Sequence, residues 1–103
     1  MKPREAVDTP LVVMFVDDDE SYLRWLEANS HGYVVNCHHS PTPDYLTLHH
    51  ARCSTIRGKP ARGDTWTCGD YAKVCADGAG PLNAWALTNY HTYPKPCGLC
   101  GPW

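Results

Sequence analysis

The run Pro96-Cys97-Gly98-Leu99-Cys100-Gly101 is the densest chemical feature of this sequence. Two cysteines at C-x-x-C spacing, with glycine inside and after, form a tight knuckle. Its backbone amides can point at thiolate sulfurs, and both sulfurs can reach one metal ion about 2.3 Å away. Thiol redox enzymes use the same spacing, but at the start of a helix that follows a strand. Only three residues follow Cys100, too few for such a helix, so metal binding is the expectation here.

A tetrahedral zinc needs two more ligands. The segment Leu46-Thr47-Leu48-His49-His50-Ala51-Arg52-Cys53 offers His49 with Cys53 at H-x-x-x-C spacing, or His50 with Cys53 at H-x-x-C. Strand alternation places Tyr45, Thr47 and His49 on one face and Leu46, Leu48 and His50 on the other. That parity does not choose between the two histidines. Cys75, in Lys73-Val74-Cys75-Ala76, reads as a core residue, since a free thiol packs as a small hydrophobe. Cys68 is an alternative ligand. Cys37, in Asn36-Cys37-His38-His39, has no partner at a spacing that supports a second site.

These residues need a scaffold. Leu11 to Val16 reads as a buried strand, and Asp17 or Asp18 caps the helix that follows, with further acids in its first turn. The helix body, Glu20 to Asn29, sets Tyr22, Leu23, Trp25 and Leu26 on one side, and Gly32 is expected to end it. Tyr33–Cys37 and Tyr45–His49 read as the strands of a hairpin around the Pro-rich turn 40–44. Residues 57–66 read as a loop and Tyr71–Ala76 as a short strand. Pro81 is expected at the first position of a second helix carrying Leu82, Trp85, Ala86 and Tyr90. The expected fold is α+β: a hairpin or short antiparallel sheet, two helices and a C-terminal knuckle, stabilised by zinc. Residues 1–9 read as a flexible polar leader and 10–103 as a single domain.

The chain has 103 residues, 19% charged, with eleven aromatics (Phe 1, Trp 4, Tyr 6) that need a core. A domain this small buries only about 65% of its unfolded surface, so a metal staple has a purpose. Net charge is −2, which excludes a general polyanion binder. Residues 1–30 carry three basic and seven acidic side chains, and residues 31–103 carry six basic and four acidic. The apolar run 11–16 is too short for an export signal or a membrane span. A cytoplasmic location is therefore expected, where six cysteines serve metal or chemistry before disulfides. A secreted three-disulfide domain is the rival. A strand ending in Asp17-Asp18-Asp19 is similar to the start of a receiver domain, but no later phosphoacceptor strand follows, and an acidic helix start accounts for it.

The order His-x-x-x-Cys, a spacer with a helix, then Pro-Cys-x-x-Cys resembles the metal-binding domain of Ada-type DNA alkylation-repair proteins. Leu48-His49, Cys53-Ser54-Thr55-Ile56 and Lys95-Pro96-Cys97-Gly98-Leu99-Cys100 carry the resemblance, which covers residues 45–103. It implies His49, Cys53, Cys97 and Cys100 as the ligands of one structural Zn2+. The family's domain uses four cysteines, one of which accepts a methyl group from a DNA phosphotriester, whereas a histidine stands first here.

No G-x-S-x-G, H-E-x-x-H or phosphate-binding loop is present, and no catalytic constellation is expected. The functional expectation is recognition of nucleic acid, as an accessory to nuclease, restriction-modification or repair systems. Its expected surface is Arg52, Arg57, Lys59, Arg62 and Trp66, with DNA or a larger nuclease or regulatory protein as partner and no membrane. The rivals are a protein-interaction module or small inhibitor, and a zinc-thiolate methyl acceptor.

Overall fold

The structure is a computed structural model and describes residues 12–57 and 65–101. The expected leader, and Lys59 and Arg62 of the expected nucleic-acid surface, lie outside the described residues. The elements are β1 (Val12–Phe15), α1 (Asp19–Ala28), β2 (Tyr33–His38), β3 (Leu46–His50), a 3-10 turn (Ser54–Ile56), β4 (Tyr71–Ala76), α2 (Ala79–Tyr90) and β5 (Lys95–Pro96). They form an α+β domain around one five-stranded sheet, ordered β1-β4-β2-β3-β5.

The expected hairpin is present, with Tyr33 opposite His50 and Cys37 opposite Leu46. Beyond the expected hairpin or short antiparallel sheet, the sheet is extended and mixed, because β5 pairs parallel to β3. β4 is antiparallel to both β1 and β2, so β1 and β2 run parallel, as do β4 and β5. Each helix is thus a crossover: α1 passes over β4, and α2 passes over β2 and β3. Both crossovers step the same way across the sheet, but they start from oppositely directed strands. Crossovers of one hand must then place their helices on opposite faces.

The core obeys that requirement. Leu82 and Ala86 of α2 pack with Val35, Leu46, Leu48 and Val74 on one face. Tyr22 and Leu26 of α1 pack with Val34, Cys53, Ile56, Trp66 and Cys75 on the other. Both faces are buried, so alternation leaves both Leu48 and His49 inside, on opposite sides of β3.

The acidic start of α1 divides its labour. Asp18 caps the helix by accepting from the Ser21 amide at 3.1 Å. Asp17 takes a left-handed φ of 54° and donates its own amide to Thr67 at 2.7 Å. The Asp19 carboxylate accepts from the Thr65 hydroxyl (2.8 Å), the Trp66 amide (2.9 Å), and the Thr67 amide (2.7 Å) and hydroxyl (2.6 Å). Burial opposes its charge, but these four donors outweigh burial and hold its pKa at about 2. A depressed carboxyl contributes stability above its unfolded pKa and loses it as pH falls through the folded value. Asp19→Ala should therefore destabilise the domain by on the order of 2 kcal/mol at neutral pH. In paired urea titrations most of that gap to the native chain should close between pH 4 and pH 2. A gap independent of pH would sink the assignment.

Two local expectations need correction. Gly32 does not end α1; Asn29 is the C-cap, and Gly32 leads into β2. Its glycine is required by proximity, since a Cβ there would lie 2.8 Å from both the Ala76 carbonyl oxygen and the Trp25 ring. Pro81 is third in α2, after Ala79 and Gly80, still inside the first turn where amides lack helical partners.

Candidate metal centre

The centre forms where β3 ends and the chain returns beside it. After His50 a tight turn is fixed by Ala51 donating to Gly32 and Cys53 donating to His50, each at 2.9 Å. Cys53 then opens the 3-10 turn, whose Ile56 is buried and whose Ile56 carbonyl accepts from the Tyr22 hydroxyl. Those contacts hold Cys53 against the α1 face of the sheet, the face on which His49 emerges.

The other half comes from β5. Thr47 pairs with Lys95 and Leu48 with Pro96, and the Cys97 amide donates to the Leu48 carbonyl at 2.8 Å. Continuing that register brings Cys97 level with His49. The knuckle then closes, with the Gly101 amide donating to the Cys97 carbonyl at 3.1 Å; Gly101 has a φ of +52°, which glycine adopts without strain.

His49, Cys53, Cys97 and Cys100 each present a donor atom to one point, all within 4.8 Å of one another. Cys53 Sγ and Cys97 Sγ are 4.0 Å apart. His49 and Cys53 are buried, while Cys97 and Cys100 are half-buried. Each sulfur also has a hydrogen-bonding neighbour. The Leu99 amide donates to Cys97 Sγ and the His50 amide to Cys100 Sγ, both at 3.3 Å, and the Thr55 hydroxyl lies 3.0 Å from Cys53 Sγ.

The electrostatics suit a cation. Burial, reinforced by the Lys73 charge, pushes the His49 imidazole down to about 4, so it is neutral at pH 7 with a lone pair to offer. Burial opposes ionisation of Cys97, but the Cys100 and Leu99 amides outweigh it and lower that thiol. Burial and the neighbouring Cys53 sulfur push Cys100 the other way, to about 11. A divalent cation placed among the three sulfurs would favour the thiolate form that binds metal. His49 Nε2 is buried and has no hydrogen-bond partner among the described residues, which suits a nitrogen that meets a metal. The residues present match a metal of thiolate and imidazole preference.

The other candidates stand apart from this centre. The His50 ring packs on Tyr33, with centroids 5.0 Å apart. Cys68 is exposed beside Asp19, and Cys37 and Cys75 are core thiols. Of the expected nucleic-acid surface, Arg52 is exposed. Arg57 is half-buried, donates to the Ala51 carbonyl at 3.4 Å and lines a shallow cavity with Leu23, Leu26 and Glu27. Trp66 is a correction: at 7% exposure it packs against Tyr22, so its ring offers no face for a base. Sequence reasoning also passed over Lys73, which is 3% exposed. Its ammonium donates to the Trp66 carbonyl at 2.7 Å and lies 5.7 to 5.9 Å from the ring centroids of Tyr22, Trp66 and Tyr71. Burial lowers it to about 8. Its strand neighbours are small and apolar, which hides a buried cation from pattern reading.

Among the described residues no helix is long and apolar enough to cross a membrane. Comparison with known protein families, curated proteins and solved structures gives no match to this chain.

Proposed function

We propose that the centre holds one Zn2+ and that the chain is a zinc-ordered recognition module, with nucleic acid as its partner. The observation that carries the zinc reading is the convergence of three sulfurs and one imidazole, from chain segments more than forty residues apart, within 4.8 Å. A Cys3His set fills a tetrahedral zinc and leaves no open position for substrate or water, which is the arrangement of a structural site. Hydrogen bonds to the sulfurs damp their nucleophilicity, which supports a structural role over methyl transfer.

The nucleic-acid reading draws on the resemblance of the ligand pattern to a DNA-handling domain and on the exposed Arg52. Its test is fluorescence anisotropy with labelled DNA. Affinity should fall steadily as salt rises from about 50 to 200 mM, and Arg52→Gln should reduce the slope of that plot by about one. Binding that ignores salt, or no binding at all, would turn attention to a protein partner. One feature favours that second reading: Leu99, at the knuckle tip, is 75% exposed and Tyr93 is 63% exposed. In that case Leu99→Ser should abolish capture of the partner while leaving the fold and the metal unchanged.

A further inference from the structure

We infer that the Thr55 hydroxyl fixes the tautomer of His49, so that Nδ1 keeps its proton and Nε2 is the nitrogen that meets the metal. This rests on the zinc reading above and concerns a residue outside the four ligands. Thr55 Oγ1 sits between two of them, 3.0 Å from Cys53 Sγ and 3.4 Å from His49 Nδ1. A hydroxyl has one proton to give and two lone pairs to share. A metal-bound thiolate can only accept, so the Thr55 proton is directed to Cys53 Sγ. The oxygen is then left as an acceptor, and the group it faces at Nδ1 must be N–H.

A neutral imidazole with its proton on Nδ1 carries its lone pair on Nε2. That atom is buried and has no hydrogen-bond partner among the described residues. Coordination through Nε2 supplies the missing partner and completes the chain Nδ1–H to Oγ1 and Oγ1–H to Sγ. The opposite assignment fails twice. With Nδ1 on the metal, Nε2–H would be a buried donor without an acceptor, and Thr55 would face a nitrogen with no proton to give it. Thr55 is thus a positioning residue, orienting one ligand ring and stabilising the charge of another ligand through a single hydroxyl. Outer-shell groups of this kind commonly tune metal affinity by ten- to a hundredfold.

Two independent measurements test this. In the Zn2+-loaded wild-type chain, long-range 1H–15N correlation of the His49 ring should show a protonated Nδ1 and a metal-shifted Nε2. A metal-shifted Nδ1 would overturn the inference. Separately, Thr55→Val and Thr55→Ser can be compared with wild type by chelator competition and by the sulfur-to-metal absorption of the Co2+-loaded proteins. The valine variant should bind at least about tenfold more weakly, with a shifted charge-transfer band and unchanged far-UV circular dichroism. The serine variant should restore both affinity and band. A valine variant indistinguishable from wild type would overturn the inference while leaving the zinc reading intact. A wild-type chain that takes up neither Zn2+ nor Co2+ would overturn both.

Discussion

On the proposed zinc reading, treating the purified chain with a strong chelator should lower its melting temperature by at least roughly 15 °C. The expectation follows from how little else holds the C-terminal segment. β5 is two residues long, and both Lys95 and Pro96 are exposed. Beyond that short parallel pairing, the Cys97 amide bonded to Leu48 is the main backbone tie. Structural zinc sites contribute apparent free energies of about 10–16 kcal/mol in small peptides at neutral pH. A domain of this size has a total stability of about 5–15 kcal/mol, and about 1 kcal/mol moves its midpoint by about 4 °C. Even a third of the zinc contribution gives the stated shift. Native mass spectrometry should find one zinc, and Cys53→Ser or Cys97→Ser should reproduce the destabilisation without chelator. A chain that carries no metal and melts unchanged in chelator would sink the centre.

Tyr22→Ala should cost about 3–5 kcal/mol, the largest single loss expected from a residue that touches no ligand. Tyr22 is fully buried and packs against Phe15 and Trp66, with ring centroids 5.9 and 6.3 Å away. Its hydroxyl donates to the Ile56 carbonyl, and burial pushes the phenol well above its ordinary range, so it remains a donor at any pH the fold survives. Tyr22→Phe isolates that bond. It keeps the ring, leaves the Ile56 oxygen without its partner, and should cost about 1–3 kcal/mol in urea unfolding. The bond also locks the 3-10 turn that Cys53 opens, so the same variant should weaken zinc binding. A phenylalanine variant as stable as wild type would show that water replaces the lost donor.

Local chemistry was readable from the residues, and long-range pairing was not. Asp18 at the N-cap, the hairpin across the two prolines and the second helix follow from short-range rules of capping, turn geometry and periodicity. The convergence of His49, Cys53, Cys97 and Cys100 was readable because C-x-x-C and H-x-x-x-C are rigid spacings whose partners must be found elsewhere in the chain. The choice of His49 over His50 was beyond alternation, because it depends on which face of β3 carries the returning knuckle. β5 was invisible, since a two-residue strand containing proline has no pattern to detect. Trp66 misled for a related reason. An aromatic beside arginines looks like a binding surface until the Asp19 carboxylate draws its loop inward and buries the ring.

The position of the last two ligands bears on how the protein is made. Val12 pairs with Ala76, and among the described residues the sheet position beside β3 is filled by residues 95 and 96. During synthesis the hairpin can form early, with His49 and Cys53 already close, yet its outer edge stays bare until Cys97 and Cys100 have left the ribosome. Interleaved, non-local strand pairing of this kind folds slowly and exposes strand edges meanwhile. A nascent chain stalled before residue 97 would hold half a metal site and an open sheet, a form that quality-control machinery can recognise. On the metal reading proposed above, ion capture then waits for residues 95 and 96 to take their place beside β3.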